Sequence, residues 1–244
     1  EALDQARRRL TFEELFYLSV GLAPLKGRRG DAAAYAAQVR PLHEFLTLLP
    51  FAPTEAQRRV MGEIVQDMSS GKPMNRLVQG DVGSGKTVVA ACAAWLAVCA
   101  GYQAALMAPT EVLAEQHYRS LSALLEPANI RVGLLTGSLT PAAKKRVQNA
   151  LAAGEIDLAI GTHALISPQV KFQRLALIIA DEQHRFGVAQ RAALAGKSEG
   201  EEGVAPHVLV MSATPIPRTL ALILYGDLDV SAIDQLPPGR TPVE

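Results

Sequence analysis

The 244-residue sequence contains few cysteines, few aromatic residues and no excess of charge of either sign. Its two cysteines, Cys92 and Cys99, share one apolar run, where a helix would place them about 10 Å apart along its axis, too far for a disulfide between them. We therefore expect reduced thiols and a cytoplasmic protein. Because 24 Lys and Arg residues balance 24 Asp and Glu residues, bulk charge gives no argument for nucleic-acid binding, and any such site must be local.

Long apolar runs are absent as well. The longest, residues 88–100, is shorter than the roughly 20 residues that cross a bilayer, so no membrane span is expected. The first residues also lack the basic and apolar regions of a signal peptide. With 49% hydrophobic residues, the chain can nevertheless bury a large core, which excludes disorder as its main state.

The pattern of apolar residues changes near residue 50. A helical pattern from Leu42 to Leu49 ends at Pro50, and from Thr54 onward short apolar runs alternate with helix-length segments. Several of these runs are apolar throughout, as in strands buried on both faces. The order predicts an α/β fold, a mostly parallel sheet with helices on both faces, preceded by a short helical segment. The predicted strands are residues 76–79, 104–107, 131–135, 156–160, 175–179 and 207–211.

Each predicted strand is followed by a polar cluster. Parallel sheets bind their ligands at the carboxyl ends of the strands, so we expect these clusters to form one functional face. The clusters are residues 80–87, 109–111, 136–138, 161–163, 181–182 and 212–214.

The first cluster, GDVGSGKT, matches the phosphate-loop pattern G-x-x-x-x-G-K-[ST] and lies between a strand and a helix. Its glycines allow backbone N–H groups to surround phosphates at a helix N-terminus, which favours anions. Lys86 would reach the β- and γ-phosphates, and Thr87 would bind Mg²⁺. The alternative is an ordinary strand–helix turn with an exposed lysine. The predicted ATP-binding residues here are Gly80, Asp81, Val82, Gly83, Ser84, Gly85, Lys86 and Thr87.

A metal-binding carboxylate is expected on a strand that neighbours the phosphate loop. Asp181 follows the strand at 175–179 and is the expected Mg²⁺ partner, and Glu182 is placed to take a proton from the attacking water. The alternative is that the two acids cap the next helix. A zinc site at His184 is disfavoured, because no H-E-x-x-H pattern or paired cysteines accompany it.

Gln57 has two interpretations that the local sequence leaves open. Thr54 and Gln57 have the spacing of a capping box, which explains both residues without a ligand. Alternatively, the Gln57 amide reads the edge of adenine.

Five segments in order resemble the motifs of superfamily-two DExH helicases, and most closely those of the bacterial helicases of branched DNA. The resemblance covers residue 51 to the end, whereas residues 1–50 resemble the linker before the motor only weakly. The segments are residues 79–87, 107–117, 161–165, 181–188 and 212–220, with residues 224–230 and 236–240 favouring the branched-DNA enzymes.

The resemblance implies a helical linker or N-terminal extension at residues 1–50, a first RecA-like lobe at residues 51–235, and the start of a linker to a second lobe at residues 236–244. It also implies that Gln57 reads adenine. The residues implied to couple the γ-phosphate to DNA are Gln183, His184, Ser212, Ala213 and Thr214. Those implied to contact DNA are Pro109, Thr110, Gly137, Ser138, Thr162, His163 and Arg218. For these last two sets, ordinary strand-end caps stay open as an alternative.

The implied function is ATP- and Mg²⁺-dependent remodelling of stalled forks and Holliday junctions in DNA repair and recombination, with a second lobe and a wedge domain as partners. The sequence lacks that lobe, whose arginine is worth about 10³–10⁵ in rate, so we expect this chain alone to bind Mg·ATP weakly and to hydrolyse it negligibly. The motor lobe of the transcription-repair coupling factor is disfavoured by His184 and Ser84. A metabolic kinase is disfavoured because no lid is evident. A non-catalytic nucleotide-binding module stays open.

Overall fold

The computed structural model describes residues 9, 33–34, 42–181, 194, 204–213 and 228–235. Its strands are β1 (Ala33–Ala34), β2 (Asn75–Gly80), β3 (Gln103–Met107), β4 (Val132–Leu135), β5 (Leu158–Gly161), β6 (Leu175–Asp181), β7 (Val204–Ala205), β8 (His207–Ser212) and β9 (Asp229–Ile233). Seven of them form one sheet in the order β4-β5-β3-β6-β8-β2-β9, in which every pairing is parallel. The predicted α/β class with a parallel sheet is confirmed.

Among the described residues, five α-helices connect or flank these strands: α1 (Leu42–Leu48), α2 (Glu55–Met68), α3 (Lys86–Cys99), α4 (Glu111–Leu125) and α5 (Pro141–Ala152). Two short 3₁₀ turns follow, at Glu126–Ala128 and His163–Ile166. Three of the helices begin in the same way, because a threonine hydroxyl accepts the N–H of the third helical residue and so satisfies a donor that the helix cannot. These caps are Thr54, Thr110 and Thr140.

The two faces of the sheet are both covered, as the uninterrupted apolar strands predict. Successive residues of β3 face opposite sides: Leu106 packs with α2, α3 and α4, whereas Ala105 and Met107 pack with Leu151 of α5. The helices on both faces therefore give the sheet two separate apolar layers. None of the helices in the described part of the chain is both long and apolar enough to cross a membrane.

Among the described helices, α3 has the most buried residues, which explains the apolar run around the two cysteines. Ten of its residues are buried, so it has no polar face. Cys92 is fully buried and Cys99 partly so, and neither forms a disulfide. The Phe45 ring of α1 lies 5.7 Å from the Trp95 ring of α3, so α1 packs into the same core. The boundary that we expected at residue 50 stays a prediction.

Three strands were not predicted. β9 is an edge strand next to β2, and β1 pairs with β7 in a separate two-stranded sheet. The runs used for prediction were apolar, whereas β9 is of mixed composition, with Ser231 and Ile233 buried and Asp229 and Ala232 exposed. An edge strand of mixed composition is less visible to a search for apolar runs.

A buried arginine links β9 to α2. Arg76 of β2 is 9% exposed, and its guanidinium donates to Asp67 at 2.7 Å, to Glu63 at 2.9 Å and to the hydroxyl of Ser231 at 2.6 Å. Ser231 also contacts Glu63 directly. Since Glu63 and Asp67 belong to α2, one side chain joins the edge strand to the helix that begins at Thr54.

Candidate nucleotide-binding site

The phosphate loop, Asp181 and Ser212 all lie at the carboxyl edge of the sheet, because they end β2, β6 and β8 respectively. We expected the carboxylate strand to neighbour the phosphate loop directly, and that expectation is wrong. β8 lies between β2 and β6, with Gln79 paired to Ser212 and Asp181 paired to Met211. Ser212 and Ala213 therefore leave the sheet between the phosphate loop and the carboxylate.

The backbone of the phosphate loop requires its glycines. Gly83 and Gly85 have φ of 82° and 88°, in the left-handed region that residues with a Cβ avoid. Gly85 is also the N-cap of α3 and has no side chain to cap it. The helix therefore begins at the loop without the side-chain oxygen that caps α2, α4 and α5, which suits an anion.

Lys86 is held by its own loop. Its ammonium donates to the backbone oxygens of Gly80 at 2.6 Å and Asp81 at 2.9 Å. These acceptors are neutral carbonyls, whereas phosphate oxygens carry charge and form stronger hydrogen bonds with an ammonium. The predicted phosphate-binding lysine thus lies at the loop, next to acceptors that a phosphate can replace.

The first interpretation of Gln57, a capping box with Thr54, is confirmed, and the same geometry is compatible with the second, recognition of adenine. The capping box forms: the Gln57 N–H donates to the Thr54 hydroxyl, and the Thr54 N–H donates to Gln57 Oε1 at 2.9 Å. In addition, Gln57 Nε2 donates to the backbone oxygen of Ser84 at 2.7 Å. A Cβ on Gly85 would overlap this amide, so the glycine is needed for the contact between α2 and the phosphate loop.

A cavity of about 410 Å³ opens beside this contact. Most of its lining is apolar, and Gln57 supplies an amide. A flat nucleobase, with apolar faces and a few polar atoms at its edge, suits a cavity of this composition. The lining residues are Phe51, Ala52, Gln57, Gly85, Thr87, Val88, Ser120 and Leu124.

The donor set of the loop fits a nucleotide. Within the described part of the chain, the buried Ser84 hydroxyl has no hydrogen-bond partner, which is uncommon for a buried polar atom unless a ligand or water completes it. Glycine backbone, an ammonium and the Thr87 hydroxyl are the groups that hold a magnesium–nucleotide complex in phosphate-loop proteins. The residues present therefore fit both ATP and Mg²⁺.

Asp181 forms a contact that the sequence analysis did not predict. Its Oδ2 lies 2.6 Å from Nε2 of His117 on α4, and the two side chains are 13% and 11% exposed. His117 ends a segment singled out for the helicase resemblance, but no role was assigned to it. The available signal was its spacing, since His117 takes a buried position with Ala114, Leu121 and Leu125 on a helix.

Those predicted DNA-contact residues that the structure describes lie along the same edge, but not all are accessible. Thr110, Gly137, Ser138 and His163 are exposed, whereas Thr162 is 9% exposed. Thr110 caps α4, so the alternative to DNA contact, a structural cap after a strand, is confirmed for this residue. The first residue of α4, Glu111, accepts the Ser138 N–H at 3.0 Å and so joins two of the clusters.

Some predicted site residues lie outside the described residues. They are the base Glu182, the coupling residues Gln183, His184 and Thr214, and the DNA-contact residue Arg218.

Comparison with known proteins places the chain in a class of nucleic-acid motors. Residues 54–223 match the DEAD/DEAH box helicase family, so the chain belongs to that family. It is 54% identical over 246 residues to the ATP-dependent DNA helicase RecG of Synechocystis, and 54% identical over 242 residues to RecG of Streptococcus pneumoniae. The alignments cover 100% and 98% of this chain but only 29% and 35% of those relatives. The chain thus spans about a third of their length.

A solved structure is similar over nearly the whole chain. It is RecG bound to a three-way DNA junction, with a TM-score of 0.82 and 46% sequence identity, and it covers 99% of this chain and 32% of that one. This likeness supports the RecA-like lobe that the resemblance implied.

Proposed function

We propose that this chain is the nucleotide-binding lobe of an ATP-dependent DNA helicase that remodels branched DNA. The observation that carries the nucleotide part is the Gln57–Ser84 contact, which joins an amide, an apolar cavity and a phosphate loop in one site. The DNA part is supported by the similarity to RecG bound to a three-way junction.

Gln57 can cap α2 and read adenine at the same time. A primary amide has two N–H donors and two acceptor lone pairs. Thr54 and Ser84 occupy one acceptor and one donor, which leaves one of each. Adenine presents a complementary pair, the N6 amino donor and the N7 acceptor. Guanine presents acceptors at O6 and N7, so we expect the site to favour ATP over GTP.

The polyphosphate would be held by the loop backbone and Lys86, and Mg²⁺ by Thr87 and Asp181. The metal would supply charge neutralisation for the transferring phosphoryl group. Glu182, adjacent to Asp181 in sequence, is our proposed acceptor of the proton from the attacking water.

DNA would bind along the edge that carries Thr110, Gly137, Ser138 and His163, where small polar groups and backbone amides hold phosphates without reading sequence. Pro109, Thr162 and Arg218 would support this surface. Ser212, Ala213 and Thr214, with Gln183 and His184, would couple the nucleotide to the DNA. The position of β8 between β2 and β6 supports this role for Ser212 and Ala213.

Other parts of the activity require segments beyond this sequence. A second lobe would complete the nucleotide site with an arginine, and a wedge domain would engage the branch point. We place the protein in the bacterial cytoplasm.

The test uses the full-length gene product that contains this sequence. ATP hydrolysis is measured with forked DNA, with linear duplex and without DNA, alongside a Glu182→Gln variant. Strong stimulation by the fork, lost in the variant, is the expected result. Equal stimulation by linear duplex would instead favour the motor of a transcription-repair coupling factor, and hydrolysis indifferent to DNA would refute the helicase.

A further inference from the structure

The His117–Asp181 contact lies where the metal-binding carboxylate is expected. A carboxylate that binds a metal is ionised and only accepts hydrogen bonds, so in that state His117 Nε2 is the donor across the 2.6 Å separation. The contact uses Oδ2 of Asp181, and within the described part of the chain no other side chain donates to this carboxylate. One oxygen is therefore held and the other is left for a ligand.

Packing alone does not explain an imidazole at this position. The other buried residues of α4 are Ala114, Leu121 and Leu125, so His117 is the polar member of an otherwise apolar buried set. Burying a polar ring costs free energy unless it is hydrogen-bonded, and a leucine would fill the position without that cost. The contact with Asp181 is the compensation that the structure offers.

Helix α4 keeps the imidazole in a fixed place. Thr110 caps the helix, and the side chain of its first residue, Glu111, accepts the N–H of Ser138. His117 follows Thr110 by seven residues, or about two helical turns. Its ring is therefore supported by a helix whose N-terminal end is anchored, whereas the carboxylate of Asp181 lies at the end of a strand and can rotate about its Cβ–Cγ bond.

We propose that His117 is a positioning residue, which holds the carboxylate of Asp181 in the orientation that binds Mg²⁺. This inference rests on the proposed function. Hydrogen bonds that orient metal ligands commonly change metal affinity or activity by about 10–100-fold when removed. Loss of the imidazole should therefore weaken metal binding while leaving the phosphate loop and the Gln57 amide unchanged.

The experiment compares three substitutions in the full-length gene product. His117→Leu fits the apolar face and removes the donor. His117→Asn keeps a polar side chain but is too short to reach Asp181, so it serves if the leucine variant folds poorly. His117→Gln places an amide N–H near the reach of Nε2 and is the rescue variant. Gln116→Ala, at the exposed neighbouring position of α4, is the matched control.

Two quantities are measured for each variant: the Kd of Mn²⁺ with ADP present, by electron paramagnetic resonance, and the Kd of fluorescent mant-ADP in EDTA. We expect the Mn²⁺ Kd to rise about tenfold in His117→Leu and His117→Asn, to recover in His117→Gln and to stay unchanged in Gln116→Ala. The metal-free affinity for mant-ADP should stay within twofold in all four.

Three results would contradict the proposal. An unchanged Mn²⁺ Kd in the leucine and asparagine variants would refute the positioning role. A loss of mant-ADP affinity in EDTA as large as the loss of Mn²⁺ affinity would also refute it, because it would indicate a general effect on the fold. If the unaltered protein binds neither mant-ADP nor Mn²⁺, the proposed nucleotide site itself is refuted. The two kinds of failure are therefore distinguishable.

Discussion

Replacing Arg76 by methionine should weaken the attachment of β9 to α2 without altering the apolar core. The guanidinium makes three hydrogen bonds, to Asp67, Glu63 and Ser231, and its side chain is 11% exposed. Bonds to charged groups contribute about 1.5–3 kcal/mol each. The carboxylates of Glu63 and Asp67 are 36% and 26% exposed and regain water when the arginine is lost, so the low end applies to these two bonds. Ser231 keeps its contact with Glu63, so its bond is left out, and the net loss is about 3 kcal/mol.

Hydrogen–deuterium exchange of the peptide that covers Asp229–Ile233 in the full-length protein measures this loss locally. Because about 1.4 kcal/mol corresponds to a factor of ten, the amides of β9 should exchange about 100-fold faster in Arg76→Met. Arg59 provides the matched control. It contacts the carbonyl of Ala232 and the carboxylate of Asp234 near the same strand, but the side chains of that ion pair are 51% and 65% exposed.

An exposed pair of this kind contributes about 0.2–1 kcal/mol, so Arg59→Ala should accelerate exchange by less than about fivefold. Removing the two carboxylates as well, in Arg76→Met with Glu63→Gln and Asp67→Asn, should restore part of the protection, because no uncompensated charges remain. The reasoning is wrong if exchange in β9 does not change in Arg76→Met, or if Arg59→Ala has the larger effect.

Three further outcomes are expected. Gly85→Ala should raise the Kd of mant-ADP at least about tenfold, because a φ of 88° costs a residue with a Cβ about 1–2 kcal/mol and the methyl overlaps Gln57. The control is Gly71→Ala, which has a φ of 73° but no neighbour within 4 Å and should leave the Kd unchanged. Equal effects of the two substitutions would exclude the Gln57 contact as the cause. Burial raises the pKa of the Cys92 thiol, so above about pH 9 the unfolded chain releases a proton that the folded one keeps. The free energy of unfolding, measured by urea denaturation with Trp95 fluorescence, should therefore fall by about 1.4 kcal/mol per pH unit relative to Cys92→Ala. Parallel pH profiles of the two proteins would contradict this. This chain alone should bind Mg·ATP weakly and hydrolyse it negligibly, and turnover comparable to that of the full-length protein would refute the need for a second lobe.

The phosphate loop and the capping box were predictable because both are local. The spacing within residues 80–87 and between Thr54 and Gln57 sets the backbone over a few residues, and tertiary contacts were not needed to recognise them. Six strands of the main sheet were also found, since apolar runs buried on both faces read clearly in a parallel sheet.

The order of those strands was not predictable in the same way. Nothing local to residues 207–212 indicates that β8 inserts between β2 and β6, because strand order depends on contacts between distant parts of the chain. The role of His117 was missed for a related reason. Its partner, Asp181, is 64 residues away, and the sequence indicated only a polar residue at a buried helical position.

The position of β8 between β2 and β6 has a consequence for the synthesis of the chain. β2 and β6 are synthesised before residues 207–212. Until those residues follow, β6 has one unpaired edge and β2 lacks both of its neighbours, β8 and β9. Such edges can pair with other chains, and parallel pairings over long separations form slowly. The phosphate loop belongs to one half of the sheet and Asp181 to the other, so a nascent chain shorter than about residue 212 has the pieces of the nucleotide site without the strand that brings them together. We therefore expect the proposed nucleotide site to be complete only after β8 has been synthesised, too late for a nucleotide to guide the pairing of the earlier strands.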